Sequence, residues 1–202
     1  IKTDIQRALQ YLQDAMRNCE ATQNIDVLAQ VLCFLGIAYC LVGDSEVAVN
    51  HLEKSIQLSS EAGLRLTLCI DYVWLGMVHS LSGDLKSAQR YEEEALKVAQ
   101  EVNNKWGEGL SRIYLGAILS AADTSQSAKA EEHMLQGISL LEELGLRPPC
   151  SMGYLFLGQH YTSTGQREKA LQALKKADAA FQEMGMDLWL SMAQDSLQSL
   201  QG

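Results

Sequence analysis

The stretch FLGIAYCLVGD, Phe34 to Asp44, constrains this chain more than any other. It returns as WLGMVHSLSGD from Trp74, YLGAILSAAD from Tyr114 and FLGQHYTSTGQ from Phe156. The glycines after leucine, Gly36, Gly76, Gly116 and Gly158, stand 40, 40 and 42 residues apart. Self-similarity at a fixed period marks a stacked-repeat architecture, in which each unit buries its apolar face against its neighbours. Around each glycine the apolar residues recur at helical spacing, as in Leu28, Leu32, Leu35 and Tyr39. After Gly43 a second helical stripe begins with Val47, Ala48, Leu52 and Ile56. Each unit therefore reads as a pair of antiparallel helices. No strand pattern occurs.

The units follow in order. Residues 1–24 read as the second helix of a truncated repeat, with Ile5, Ala8, Leu12 and Cys19 on one face and Asp4 as its N-cap. Ala8 stands 40 residues before Ala48, so the array is entered halfway through a unit. Full repeats span 25–63, 64–103, 104–145 and 146–185, and 186–202 holds a terminal capping helix. The whole is expected to be one all-α, right-handed superhelical solenoid of about ten helices. Gly43, Gly63, Gly83, Gly145 and Gly185 suit the left-handed position that ends a helix, and Asp44 suits the following N-cap. The third corner, Ala121 to Ser127, lacks the glycine and is two residues longer, with Asp123 or Thr124 expected to cap the next helix. Pro148 and Pro149 open the helix after it, where a missing N–H is tolerated.

A glycine inside a helix costs about 1 kcal/mol relative to alanine. Four at one repeat position therefore need a compensating reason. Close approach of the two helices supplies one, with Gly36 facing Ala48 and the bulk of Leu35, Leu52 and Ile56 around the crossing.

Composition excludes several classes of function. The formal net charge of −9 argues against nucleic acid and against an anionic membrane surface, both of which call for clustered Lys and Arg. The longest apolar run, Val31 to Val42, is short for a bilayer span. Five cysteines without a CxxC read as buried, reduced thiols of a cytoplasmic protein. The chain opens at Ile1 and shows no signal-peptide pattern, so it is expected to be a piece of a longer protein.

Chemistry finds no foothold. His51, His79, His133 and His160 lie on four helices, in no metal-binding spacing. Cys33 and Cys40 are seven residues apart, too far along a helix to share an ion. Phosphate-loop, dinucleotide and nucleophile-elbow motifs are absent. Gly107-Glu108-Gly109 reads as a helix start, and Glu92 to Glu94 as a solvated helix face. No catalytic residue, cofactor or metal is expected.

The Leu-Gly pairs, with Ala48, Ala88, Ala130 and Ala170 and with Tyr39 and Tyr161, resemble the tetratricopeptide repeat W-x2-L-G-x2-Y…A-x3-F. His79 and Leu119 replace the tyrosine in the middle units. Leu52, Glu92, Met134 and Leu174 replace the last aromatic, and the period is 40 rather than 34. This long variant is similar to the arrays of large signalling ATPases, including the maltose-regulon activator. The segment from Ala130 to Leu190 is similar to the C-terminal array of bacterial class III nucleotide cyclases that carry an ATPase module. The resemblance implies a regulatory tail that binds a protein or peptide, domains of its own parent chain included, on a concave face. It places Cys33, Ile37, Val73, Met77, Ile113, Ala117, Leu155 and Gln159 on that face. None carries the charge of a carboxylate clamp, so an apolar helix is the better-suited partner. Burial of part of this column between repeats stands as the alternative. The aromatic column Phe34, Trp74, Tyr114 and Phe156 is expected to be inter-repeat core. A small-molecule effector is the alternative ligand, and it would need an enclosed pocket with converging polar groups. The unpaired N-terminal helix, with Ile5, Leu12 and Cys19, could also drive a homodimer.

Overall fold

The computed structural model describes residues 2–200, apart from the side chains of residues 2–4 and 124. Those residues form ten α-helices and one 3-10 turn, with no strand. They divide into two compact units, Ile1–Gly107 and Glu108–Gly202. The first holds α1 (Lys2–Thr22), α2 (Ile25–Val42), α3 (Ser45–Glu61), α4 (Arg65–Leu81), α5 (Leu85–Glu101) and the start of α6 (Lys105–Ala122). The second holds the rest of α6, then α7 (Ser127–Glu143), α8 (Arg147–Ser163), α9 (Arg167–Met184) and α10 (Asp187–Ser199). The expected cap at Asp4 falls on a side chain outside the described residues.

The corners form as their residues dictate. Gly43 and Gly83 sit at φ +86° and +83°, where a side chain would clash with the following carbonyl. Asp44 and Asp84 follow, each accepting a hydrogen bond from the N–H three residues on, Val47 at 3.3 Å and Ser87 at 3.1 Å. Nothing lies within 4 Å of a Cβ built on Gly83, so substitution there tests the backbone alone. Gly83→Ala is expected to lower stability by about 1 kcal/mol, read as a lower urea midpoint at unchanged slope.

The third corner differs from expectation. Asp123 does not cap α7. Its carboxylate accepts from the Ser125 N–H at 2.8 Å and the Ser125 hydroxyl at 2.6 Å, fixing a 3-10 turn over Thr124–Gln126. Gln126 occupies the N-cap of α7 and makes no side-chain cap bond. The two extra residues are thus absorbed by one tight turn. Thr124, the other candidate cap, has its side chain outside the described residues. Gly107 falls in the first turn of α6, where its N–H donates to Asn104 Oδ1 at 3.2 Å.

Packing inside each unit runs through the Leu-Gly glycines. A Cβ on Gly36 would lie 2.5 Å from Leu52 Cγ and 3.1 Å from the Ala48 carbonyl oxygen. On Gly116 it would lie 2.6 Å from Met134 Cγ and 2.7 Å from the Ala130 carbonyl oxygen. Around these crossings Leu35, Leu52, Leu75, Leu119, Met134, Leu155 and Leu174 are almost wholly buried. Helix α2 has one charge, Asp26, in 18 residues, and by length and composition would pass for a membrane span. In the structure Leu35 and Cys40 bury against α1, α3 and α4, as expected of one layer of a repeat. The five cysteines are unpaired and buried.

Candidate functional site

The eight candidate residues separate by depth. Cys33, Val73, Ile113 and Leu155 are buried in the cores of their units. Ile37, Met77, Ala117 and Gln159 are partly accessible. The difference follows from helical geometry, because positions four apart are rotated by about 40° and only one of each pair clears the neighbouring helix.

In the first unit Ile37, Trp74 and Met77 pack at the rim of the core built by Cys33, Cys40, Ala48, Leu52, Leu75 and Val78. Phe34 stands further out, 54% exposed, with Leu41 at 57% and Leu81 at 70%. In the second unit the same aromatic position is stacked packing. Tyr114 meets Phe156 at 5.9 Å between centroids, and Phe156 meets Trp189 of α10 edge-on at 6.3 Å. Gln159 Nε2 there donates to Ser196 Oγ at 3.2 Å. The first-helix surface of the first unit is therefore the more open and the more apolar.

Two clefts accompany these surfaces. One, about 420 Å³, lies between α1 and α2 and is lined by apolar side chains including Ala8, Tyr11, Leu12, Phe34 and Ile37. The other, about 490 Å³, lies among α7, α8 and α9 and has several polar side chains in a mostly apolar lining. Tyr154 OH donates to Glu142 Oε1 at 2.7 Å, and Lys176 Nζ sits 4.5 Å above the Tyr154 ring. Arg147 pairs with Glu183. One turn-pair along, Tyr161 OH donates to Glu131 at 2.6 Å with Lys169 above its ring. A spacing of seven on both α8 and α9 produces this ladder. Its polar groups pair with one another.

Two buried acids were not recognised from sequence. Asp71 is fully buried on α4 and accepts hydrogen bonds from Ser55 at 2.9 Å and Ser59 at 3.4 Å. Burial drives its carboxyl up to about 7, against the opposing pull of hydrogen bonds from Cys33, Ser55 and Ser59. Glu92 corrects the reading of Glu92 to Glu94 as a solvated face. Glu93 and Glu94 are exposed, but Glu92 has 0% exposure and neither carboxylate oxygen has a hydrogen-bond partner. Its carboxylate lies against Gly76, where a Cβ would be 2.7 Å from Oε1. Burial pushes its pKa well above the usual carboxylate value. The signal was present: Glu92 occupies the column of Leu52, Met134 and Leu174, all wholly buried.

Among the described residues no group of three His, Cys, Asp or Glu could hold a metal ion. Buried His160 is held between Ser120 Oγ, 2.8 Å from Nδ1, and Ser127 Oγ, 3.4 Å from Nε2. Burial lowers its pKa, and both ring nitrogens are engaged by these serine contacts within the second unit.

These helix pairs, with glycine at each crossing, define a tetratricopeptide-like helical-repeat fold. No protein-family model matches the chain, and no curated protein matches it in sequence. Among solved structures it is similar to BtubC from P. vanneervenii, at 15% identity and a TM-score of 0.70 over 98% of this chain and 85% of that one. A putative kinesin light chain with nearly identical TPR-like repeats, from Podosopora anserina, is 18% identical with a TM-score of 0.63, over 91% and 90% of the two chains. A signal-transduction ATPase with a tetratricopeptide repeat sensor, from Pyrococcus horikoshii, is 16% identical with a TM-score of 0.63. That match covers 84% of this chain and 26% of the ATPase.

Proposed function

We propose that this chain is a non-catalytic, cytoplasmic interaction scaffold, the regulatory or sensor tail of a larger signalling protein such as a class III cyclase with an ATPase module. It binds an apolar-faced peptide or helix along its accessible first-helix positions. The observation that carries this reading is the uncharged row of the first unit, in which Phe34, Ile37, Leu41, Trp74, Met77 and Leu81 all reach the surface to some degree. A run of large exposed apolar side chains marks an interaction surface better than scattered ones do. The lack of charge selects an apolar helix over an acidic tail.

Helical peptides selected on the full chain give the test. Met77→Glu is expected to weaken their binding at least tenfold by calorimetry, while Met77→Leu leaves it within about twofold. A charge placed in the rim of an apolar contact must be desolvated, which accounts for a loss of this size. Equal binding by wild type, Met77→Glu and Ile37→Glu would remove the reading.

One observation favours a small-molecule effector instead. The cleft among α7, α8 and α9 has the volume of a ligand site. Against it, the Tyr154–Glu142 and Arg147–Glu183 pairs already satisfy its polar lining.

A further inference from the structure

The hairpin of α4 and α5 differs from the other repeats in what it buries. Asp71 stands where they place Val31, Ser111 and Gly153, and Glu92 where they place Leu52, Met134 and Leu174. All these positions are buried, and only this hairpin puts a carboxyl at either. The two acids flank α4, which packs between α3 and α5. On one side Asp71 meets Ser55 and Ser59 of α3, and its Oδ1 has no hydrogen-bond partner. On the other, Glu92 of α5 presses against Gly76, the residue before Met77, with both oxygens unpaired.

No counter-charge compensates them. The titratable groups that interact with these carboxyls are the thiols of Cys33 on α2 and Cys69 on α4 and the phenol of Tyr72. Among the described residues no Lys, Arg or His acts on either acid. A carboxyl in such a place stays neutral or must be hydrated. Hydrating Asp71 or Glu92 requires α4 to part from α3 or α5. The same helix carries Trp74 and Met77, on the face assigned above to the partner helix.

We propose that α4 is a proton-controlled latch: neutral Asp71 and Glu92 keep it docked, and their ionisation undocks it and withdraws Trp74 and Met77 from the binding face. The latch regulates the surface of the scaffold reading and rests on that reading for its role. The thiols beside the two acids report its state. Alkylation of each cysteine in the full chain, relative to its rate in the urea-unfolded chain at the same pH, gives its protection. Both folded pKa values are raised by burial, so closure is strongest at low pH and weakens as pH rises. Asp71, at about 7 when folded and about 4 when unfolded, by itself raises opening about tenfold between pH 6 and 8. Glu92 adds to this. Protection of Cys33 and Cys69 is therefore expected to fall by about tenfold or more, while that of Cys150 in the second unit stays within about twofold. In Asp71→Asn with Glu92→Gln the change should shrink to less than about twofold. Glu92→Leu alone, which the places of Leu52 and Leu174 accept, should keep only the roughly tenfold part due to Asp71, and serves if the double variant does not fold. Protection of Cys33 and Cys69 that is constant with pH, that falls together with Cys150, or that keeps its full pH dependence in these variants overturns the latch. An apolar helical peptide at about a hundred times its dissociation constant should raise both protections at pH 8 about a hundredfold. A peptide that binds without protecting the thiols overturns control of the face. Intact pH dependence with no peptide that binds supports the latch and removes only the scaffold reading.

Discussion

Glu92→Leu is expected to stabilise the chain by about 2–4 kcal/mol at pH 8, one of the largest gains open to a single substitution. A buried carboxyl group with neither oxygen paired is costly at pH 8 in either form. The ion is desolvated without a partner, and the neutral acid must take a proton from solvent and still lacks hydrogen bonds. Leucine already occupies the equivalent place against Gly36 and Gly158 as Leu52 and Leu174, so the replacement has an internal precedent for shape. The gain depends on pH. Burial raises the folded pKa of Glu92 above its unfolded value, so between the two the native state holds a proton that the unfolded chain has lost. The wild type is then most stable below about pH 4, near the unfolded glutamate pKa. It loses that advantage as pH rises through the folded pKa. Asp71, raised to about 7 by burial, acts in the same direction between about pH 4 and 7. Urea melts at pH 5 and pH 8 should show the leucine variant gaining more at pH 8. An equal gain at both would mean that Glu92 does not retain a proton in the native state.

Gly116→Ala is expected to act in the opposite direction, with a loss of about 2–3 kcal/mol. Alanine favours helix over glycine by about 1 kcal/mol, so on propensity alone the change would stabilise. The built Cβ lies 2.7 Å from the Ala130 carbonyl oxygen, and backbone gives way only by moving α7. Gly76→Ala makes the control. Its contacts are all with the Glu92 side chain and none with backbone, so the helices need not separate and the loss there should be smaller. Thermal melts of the two variants check the order. Equal losses would show that helix spacing is not set at these glycines.

The repeat could be read from the sequence because its glycines and corners are local requirements. A positive φ at Gly43 and a close crossing at Gly36 each restrict one residue type at one position. Depth was harder to read. Cys33 and Ile37 look alike as apolar first-helix residues, and only the angle at which α2 meets its neighbours buries one and leaves the other partly open. Glu92 was misread for the opposite reason: its neighbours Glu93 and Glu94 are exposed, and the run of three masked the register that places the first of them in the core. The serines around Asp71 come from α3, 12 and 16 residues away, and only the folded hairpin brings them together.

The central claim is that the first helices, not the second, form the binding surface. Hydrogen exchange of the full chain, with and without a selected apolar helical peptide, tests it most directly. Protection concentrated on α2 and α4 around Ile37, Trp74 and Met77 is the predicted result. Protection confined to α3 and α5, or to the Tyr154–Lys176 cleft, would contradict it.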